Sequence, residues 1–304
     1  MKTRYDDVLS LCAEPAVRAA LGAVADIEPL AGLSNRVFRL TAAKGRFILR
    51  VERPENAGRI DRQAELHNAR IAEACGIGAA VVHADPGRGV MLVRAVEAAT
   101  PLAERPREAR AADAARLGTA IGRLHGATVP FRGRFGPREI LRRLASEVGR
   151  HAALPAGAGL LIARMEGLAR SMECGAGRTV PSHGDLVAGN VLVAAGRIVL
   201  IDWEYSAMAD PAWDLAYAAL ECGLDGGAER AMLATYAAAA GWVPAADRLA
   251  GFKALCATIS ALWALDQEAA GNPATDFGAY ARLRFESADR FAAGLPEVWP
   301  TDAE

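Results

Sequence analysis

Short apolar runs that alternate with polar residues dominate the first ninety or so positions of the chain. Residues 36–51 contain two strand-like runs around a lysine-glycine turn, and residues 81–93 repeat the pattern around an aspartate-proline-glycine turn. Between these two predicted hairpins, residues 58–74 have helical spacing, with a cap near Asp61 and a stop at Gly76. The pattern predicts a small sheet with one inserted helix.

Longer segments rich in alanine, arginine and leucine follow from about residue 104. Apolar positions such as Leu117, Ile121 and Leu124 recur there at helical spacing. The one strand-rich interruption is residues 191–201, where two apolar runs flank Ala-Ala-Gly-Arg, a pattern that predicts a β-hairpin with a four-residue loop. The second part of the chain is therefore expected to be mainly helical.

The change of pattern lies near residues 93–103, where a predicted strand ends and a proline follows. We interpret this stretch as a hinge between two domains. The expected fold class is α+β, with a β-rich N-terminal lobe at residues 1–95 and a mainly helical C-terminal lobe at residues 96–304.

Composition places the chain among folded globular proteins. Of its 304 residues, 52% are hydrophobic and 23% are charged, which excludes disordered, collagen-like and coiled-coil chains. The formal charge is -1, so no basic excess is available to bind phosphate backbones or anionic lipid. We therefore expect neither a nucleic-acid partner nor a membrane partner, and the sequence does not determine the oligomeric state.

The cysteines and the N-terminus bear on the cellular compartment. The five cysteines are widely spaced and form no Cys-x-x-Cys pair, which argues against a disulfide framework and against a zinc site. The N-terminus lacks the apolar run of a signal peptide, and no stretch approaches the ~18 to 20 apolar residues that span a bilayer. These observations predict a cytoplasmic protein with reduced thiols.

The predicted hairpin at residues 191–201 brings polar side chains together. Asn190 lies just before its first strand and Asp202 just after its second, so strand pairing places their side chains near each other. Asp185 precedes Asn190 by five positions and is expected at the same point. Two carboxylates and an amide offer the oxygen ligands that magnesium prefers, and they leave one carboxylate to act on a substrate hydroxyl.

The same order of residues occurs in protein kinases. There the first aspartate orients a hydroxyl, and the asparagine and the second aspartate hold magnesium. The alternative is that His183-Gly184-Asp185 is only a turn and that Asp202 only caps a strand. The joint spacing of the polar residues disfavours this alternative.

Longer segments carry a family resemblance. HGDLVAGNVLV and IDWEYSAMADPAWDLA, with LAGLSNRVFRL, IGRLHG, LWALDQ and DFGAYARLRF, are similar to the aminoglycoside phosphotransferase superfamily and most closely to its choline and ethanolamine kinase branch. The resemblance implies a two-lobed protein-kinase-like fold that uses ATP and Mg²⁺. It also implies that Asp185 is the catalytic base, that Asn190 and Asp202 are the magnesium ligands, and that Asp214 is a structural carboxylate.

The predicted phosphate-binding loop has a single glycine, Gly32, in place of a glycine-rich run. Phosphate contacts would then come from Ser34, Asn35 and backbone amides. In the family, a cation that follows this loop neutralises phosphate charge. The resemblance assigns this role to Arg50.

Arg50 is the expected cation, in place of the lysine of protein kinases, which resembles the choline kinase branch. Glu65 on the following helix is its expected ion-pair partner. Arg46 competes with Arg50 for this role. The alternative is that Arg50 and Glu65 are ordinary surface charges.

An acceptor pocket is expected downstream of the magnesium site, where acidic and aromatic residues coincide. Its candidate residues are Glu221, Trp263, Asp266, Tyr280 and Tyr217. In the choline kinase branch, the positions that correspond to Glu221, Trp263 and Tyr280 bind a quaternary ammonium group. Because such a group donates no hydrogen bond, its site needs aromatic faces and a nearby negative charge. The expected acceptor is a small cationic alcohol, choline or a related amino alcohol.

Other interpretations of this pocket stay open. Trp263 and Tyr280 have the spacing of ordinary core residues, and Glu221 can be a surface residue at a helix end. Ser260 stands where the eukaryotic relatives have a second tryptophan, which keeps other cations open as acceptors. The alternatives are an aminoglycoside, thiamine or sugar kinase with the same machinery, and a nucleotide-binding pseudokinase with a regulatory role.

Overall fold

The computed structural model describes residues 5–32, 35–54, 57–152, 154–174 and 177–295. An antiparallel sheet dominates its first part and helices dominate its second, which confirms the expected α+β class. The elements of the N-terminal lobe are α1 (Asp6–Ala13), α2 (Pro15–Leu21), β1 (Val24–Leu30), β2 (Asn35–Ala42), β3 (Gly45–Glu52), α3 (Arg62–Ala74), β4 (Val81–Asp85) and β5 (Val90–Arg94).

The N-terminal sheet has the strand order β1-β2-β3-β5-β4, with every neighbouring pair antiparallel. Both predicted hairpins are confirmed. Ala42 pairs with Gly45 across the first turn, and Asp85 pairs with Val90 across the second.

Three elements of this lobe, α1, α2 and β1, had no predicted counterpart. β1 contains Asp26, Glu28 and Pro29, residue types that are depleted in strands, and it lies at the sheet edge, where proline is tolerated. Leu11 of α1 and Leu21 of α2 are buried against the alternate strand residues that share one face of the sheet. The two helices therefore cover that face and complete the core of the lobe.

The helix predicted at residues 58–74 is confirmed as α3. The Asp61 carboxylate accepts hydrogen bonds from the backbone N–H groups of Gln63 and Ala64, at 3.0 and 2.9 Å, and so caps the helix. The cap fixes where α3 begins. It thereby places Glu65 in the first turn, where the residue is only 2% exposed.

The C-terminal lobe is mainly helical. Its elements are β6 (Thr100–Pro101), α4 (Arg110–His125), α5 (Pro137–His151), α6 (Ala158–Cys174), β7 (Val180–Ser182), β8 (Val191–Ala194), β9 (Arg197–Leu200), β10 (Ala207–Ala209), α7 (Pro211–Glu221), α8 (Gly226–Ala240), α9 (Ala246–Ala269) and α10 (Phe277–Ala293). The strands form two small sheets, of order β6-β8-β9 and β10-β7. The domain division at residue 95 stays a prediction; β5 ends at Arg94, and β6 already pairs with β8.

β8 and β9 form the predicted hairpin, but its loop is shorter than expected. Ala194 pairs directly with Arg197, which leaves a two-residue turn of Ala195 and Gly196. Both turn residues have positive φ, 46° and 78°, as a type I′ turn requires. The expected four-residue loop was wrong because Ala194 and Arg197 continue the strand ladder.

α9 is a 24-residue helix, and by length and composition alone it could cross a membrane. The expectation that no segment is apolar enough for this was therefore wrong. Within the protein, 78% of its apolar window is buried, and core helices of soluble proteins pass the same test. Packing against α7 and α10 accounts for its apolar sequence.

Four cysteines have described side chains, namely Cys12, Cys75, Cys222 and Cys256, and all four are free. Burial raises the pKa of each thiol, that of Cys222 to about 12. These thiols are protonated at neutral pH. They are therefore poor nucleophiles and metal ligands.

Candidate active site

The segment between β7 and β8 and the segment after β9 meet at one point. The Ile201 N–H donates to the Asn190 carbonyl at 3.1 Å, which continues the β8–β9 pairing by one residue and places Asp202 beside Asn190. The Asn190 side-chain amide donates to the backbone carbonyl of Asp185 at 3.0 Å and to its carboxylate at 3.1 Å. The structure thus brings together the three polar residues singled out from the sequence.

Asp185 and Asp202 lie in a region with excess negative charge. Burial, followed by the charge of Asp202, raises the pKa of Asp185 to about 7. Asp202 keeps 32% of its side chain exposed at the junction of the lobes, but the surrounding protein desolvates its carboxyl and raises its pKa to about 6. Arg50 opposes this rise, whereas Glu204 and Glu65 add to it. A bound cation would relieve the mutual repulsion.

This set of ligands fits magnesium. Asn190 and Asp202 supply hard oxygen atoms, which magnesium prefers. In the described ranges, no group of three or more His, Cys, Asp or Glu side chains could hold a metal ion. Magnesium commonly takes one or two carboxylates and completes its shell with waters and substrate phosphates, so it needs no such cage.

Asp214 anchors residues 183–190, the segment that carries the catalytic candidate Asp185 and is called the catalytic loop below. Its carboxylate accepts the backbone N–H groups of His183 at 2.7 Å and Gly184 at 2.9 Å, and the His125 ring lies 3.2 Å from it. Complete burial tends to raise the pKa of Asp214, but the hydrogen bond and charge of His125, together with these contacts, lower it below its usual value. Asp214 is therefore an ionised support beneath the loop, in the place that the resemblance implied.

Gly184→Ala is expected to distort the catalytic loop. Gly184 has a φ of +84°, and an added Cβ would lie 2.4 Å from the backbone oxygen of Tyr205. A non-glycine residue in such a conformation costs about 1 to 3 kcal/mol, and relief of the contact would shift Asp185. We expect a lower thermal unfolding midpoint and reduced turnover.

Thermal unfolding and ADP release would measure these two effects. The matched control is Gly149→Ala on α5, where an added Cβ meets nothing within 4 Å and helix propensity favours alanine. A Gly184→Ala protein as stable and active as this control would contradict the assignment.

Arg50 on β3 forms the ion pair expected from the sequence. Its guanidinium contacts Glu65 on α3, and its Nη1 donates to Asp202 at 2.6 Å. Arg46, the competing candidate, pairs with Glu97 and is 54% exposed. Arg50 is therefore the arginine that reaches the site.

A second buried arginine, Arg62, was not identified from the sequence. Its guanidinium forms ion pairs with Glu52 at 2.8 Å, Glu65 at 2.9 Å and Glu204 at 3.2 Å. Asn35 accepts a hydrogen bond from Arg62 at 3.0 Å and donates one to Glu204 at 2.9 Å. These five residues, the Arg62 network, join β2, β3 and α3 to the segment that follows Asp202.

The predicted phosphate-binding loop is described only in part, because Ser34 lies outside the described residues. The Gly32 carbonyl accepts a hydrogen bond from Arg53 at 3.3 Å, and an added Cβ at Gly32 would lie 2.6 Å from the backbone oxygen of Asn35. The Asn35 side chain is buried in the Arg62 network. A phosphate contact from Asn35 would therefore have to come from its backbone.

Two of the predicted acceptor residues, Glu221 and Tyr280, are in direct contact. The Glu221 carboxylate accepts hydrogen bonds from Tyr280 at 2.6 Å and from Ser260 at 2.8 Å. Arg284, not identified from the sequence, also binds Glu221 at 2.7 Å. The exposed fractions of the Glu221 and Arg284 side chains are 6% and 12%, so this ion pair is largely shielded from water.

Among the described residues, neither Trp263 nor Asp266 forms a hydrogen bond or ion pair with that pair. Trp263 packs edge to face on Phe277, with ring centroids 5.4 Å apart, and the half-buried Asp266 lies one turn further along α9. Tyr217 instead connects the acceptor region to the catalytic loop. Its hydrogen bond lowers the pKa of Asp185, and burial, with the charges of Asp185 and Glu221, raises the pKa of Tyr217 well above its usual value.

Solved structures resemble this chain over nearly its whole length. A choline/ethanolamine kinase family protein from Mesorhizobium loti is 29% identical, with a TM-score of 0.80 over 96% of this chain and 95% of that chain. Choline kinase LicA from Streptococcus pneumoniae is 25% identical, with a TM-score of 0.76 over 95% of this chain and 97% of that chain. LicA in complex with AMP matches at 25% identity and a TM-score of 0.75, over 95% and 96% of the two chains.

Sequence comparison agrees with these structures. Protein LicA from Haemophilus influenzae is 26% identical over 277 residues, which are 88% of this chain and 80% of that protein. The likenesses confirm the two-lobed kinase-like fold and the resemblance to choline and ethanolamine kinases. The profile described as "Phosphotransferase enzyme family" matches residues 26–252. Because this match spans well over half of the sequence, the chain belongs to the phosphotransferase enzyme family and is an ATP-dependent kinase.

Proposed function

We propose that the protein transfers the γ-phosphate of ATP to the hydroxyl of a small cationic alcohol, choline or a related amino alcohol, with Mg²⁺ held by Asn190 and Asp202. The observation that carries this proposal is the position of Asp185. Asn190 holds it near Asp202 on one side; on the other, Tyr217 hydrogen-bonds to it, and the charge of Glu221 helps to raise the pKa of both Asp185 and Tyr217. A hydroxyl at Asp185 would thus face the phosphate while the rest of the acceptor extends toward Glu221. The likeness to choline kinase LicA supports this class of acceptor.

Each polar residue of the candidate site can be given a role in the proposed phosphate transfer. Asp185 would accept the hydrogen bond of the acceptor hydroxyl and take its proton as the hydroxyl oxygen bonds to the γ-phosphorus of ATP and the bond from that phosphorus to the departing ADP breaks. The 3.1 Å hydrogen bond from Asn190 orients that carboxylate, and Arg50 places a permanent positive charge beside the phosphate region. Bound magnesium would supply further positive charge to the phosphate oxygens. Positioning and electrostatics would account for most of the rate enhancement.

We also propose that this reaction takes place in the cytoplasm. The four described thiols are free, and α9 is largely buried in the core. The near-neutral formal charge of -1 agrees with a small-molecule partner.

Arg284 favours a second candidate, a kinase for a neutral alcohol such as a sugar. Its guanidinium pairs with Glu221 and lies over the Tyr280 ring, 4.7 Å from the centroid. The acid and the aromatic face that would attract an ammonium group therefore already contact a cation of the protein itself. A cationic acceptor would have to compete with Arg284, whereas a neutral acceptor would leave this pair intact.

Choline is expected to stimulate ADP release from magnesium-ATP. Glu221→Gln should raise the KM for choline by about tenfold, which corresponds to about 1.4 kcal/mol, because it removes a negative charge near the ammonium group. The kcat should stay within about twofold, because the lost contact is made equally in the ground and transition states. A coupled ADP assay over a range of choline concentrations would measure both constants.

Glu286→Gln is the control, because Glu286 is exposed on the same helix as Arg284. Stimulation by a sugar but not by choline, ethanolamine or thiamine would reject the cationic acceptor and favour the second candidate. Stimulation by kanamycin alone would indicate an aminoglycoside kinase. Binding of magnesium-ATP without turnover on any of these acceptors would support the pseudokinase alternative.

A further inference from the structure

A cavity of about 740 Å³ lies in the C-terminal lobe, and its lining includes no residue of the catalytic loop. It is enclosed by α5, the end of α6, β10 and the first turns of α7 and α9. Asp185, Asn190, Asp202 and Glu221 do not line it. Its volume lies in the range of sites that bind small organic molecules.

Arginine dominates the charge of this cavity. Three carboxylates also line it, from Glu139, Glu173 and Asp210. The whole chain carries a formal charge of only -1, so the local excess of positive charge does not reflect the overall composition. The six arginines of the lining are Arg134, Arg138, Arg142, Arg143, Arg178 and Arg248.

Four of these six arginines pair with carboxylates of the protein. Arg248 pairs with Asp210 and also donates to the backbone carbonyl of Met172 at 3.2 Å. Arg143 pairs with Glu147 at 3.0 Å on the same helix. These contacts hold the guanidinium groups of Arg248 and Arg143 in the cavity wall.

The other contacts leave hydrogen-bond donors unused. Arg142 and Arg138 share the single carboxylate of Glu166, at 3.2 and 3.5 Å, and Arg138 Nε is buried without any hydrogen-bond partner. Arg178 lies over the Trp242 ring at 4.5 Å and has no carboxylate partner within the described ranges. The Arg134 guanidinium likewise has no hydrogen bond or ion pair in the part of the chain that the structure describes.

The floor of the cavity is apolar and aromatic. Phe135 packs on Trp213 with ring centroids 4.4 Å apart, and Phe252 packs on the other side of Trp213 at 6.4 Å. Met208 completes this surface. An aromatic floor below guanidinium groups suits a ligand that has a flat apolar body and an anionic group.

We propose that this cavity binds a small organic anion, a phosphate, sulfonate or carboxylate carried on an aromatic or apolar body. Arg134, Arg138 and Arg178 would bind the anionic group through their unused donors. The apolar body would lie on Phe135 and Met208, which are half-buried, whereas Trp213 is only 2% exposed. The site is separate from the acceptor site, so the proposal does not depend on the identity of the phosphorylated alcohol.

Titration calorimetry of the full chain with 8-anilinonaphthalene-1-sulfonate tests this proposal, because the probe joins a sulfonate to an aromatic body. We expect one saturable site per chain. The double variant Arg134→Gln with Arg178→Gln should weaken binding by at least about tenfold, since hydrogen bonds to charged groups are lost. Arg282→Gln, an exposed arginine on α10, should leave the affinity within about twofold.

Two results would overturn the proposal: no binding by the wild-type chain, or equal binding by the double variant. Both substituted arginines are exposed and lack ion pairs in the described ranges, so the variant is expected to fold, and its thermal unfolding midpoint checks this. The calorimetric test does not use turnover. Its outcome is therefore distinguishable from failure of the acceptor assay.

Discussion

Asp185→Asn is expected to lower kcat by about 10² to 10⁴, the range found when a general base is removed. The substitution keeps the size of the side chain and an oxygen that can accept the hydrogen bond from Asn190. It removes the group that takes the proton of the acceptor hydroxyl. The affinity for ATP should change by less than about threefold, because the nucleotide side of the site depends on Arg50 and Asp202.

Steady-state ADP release and equilibrium binding of a fluorescent ATP analogue would measure the two quantities. Asp276→Asn is the matched control, because Asp276 caps α10 far along the chain and asparagine is an equally good cap. This control should keep its turnover. The role given to Asp185 is rejected if Asp185→Asn retains more than a tenth of wild-type turnover, or if it loses nucleotide binding to the same extent as activity.

The approach of Asn190 to Asp202 could be predicted because it depends on local structure. A hairpin returns the chain to its starting point, so residues on either side of residues 191–201 must meet whatever the rest of the fold does. The error in the predicted length of the β8–β9 loop did not affect this prediction. A two-residue turn with one more strand pair brings Asn190 and Asp202 together as a four-residue loop would. The same argument explains why the Arg50 and Glu65 pair, on consecutive elements, could be expected.

The Arg62 network could not be predicted in this way. Arg62 and Glu204 are 142 positions apart, and Arg62 and Asn35 are 27 apart, so no periodicity or turn signal connects them. Seen in the sequence, Arg62 is one more polar residue at the start of a helix. Its burial at 7% becomes apparent only when the two lobes are placed together.

The pairing of Arg284 with Glu221 was missed for a related reason. The residues lie 63 positions apart on α10 and α7, two helices whose packing the sequence pattern does not determine. An isolated acid after an apolar run is expected to seek solvent or a ligand. In the fold, Glu221 instead pairs with Arg284 from α10. This ion pair reduces the negative charge that Glu221 would present to an acceptor.

Arg62→Met is expected to lower the free energy of unfolding by about 3 to 5 kcal/mol, as is typical when one member of a buried ion pair is removed. Methionine fills similar space but leaves the Glu52 and Glu204 carboxylates, only 13% and 3% exposed, without their arginine. Glu65 would keep Arg50 as a partner. The midpoint of urea unfolding, followed by tryptophan fluorescence, should fall by about 1 M or more.

Arg88→Met provides the comparison, because Arg88 also pairs with two carboxylates, Glu14 and Asp85, yet its side chain is 50% exposed. Water and salt screen such surface pairs, so this variant should lose much less stability than Arg62→Met. The contrast isolates burial as the cause, since both substitutions remove the same guanidinium group. Equal losses in the two variants would show that the Arg62 network does not hold the lobes together, and that the site beside it is supported by the packing of the helices alone.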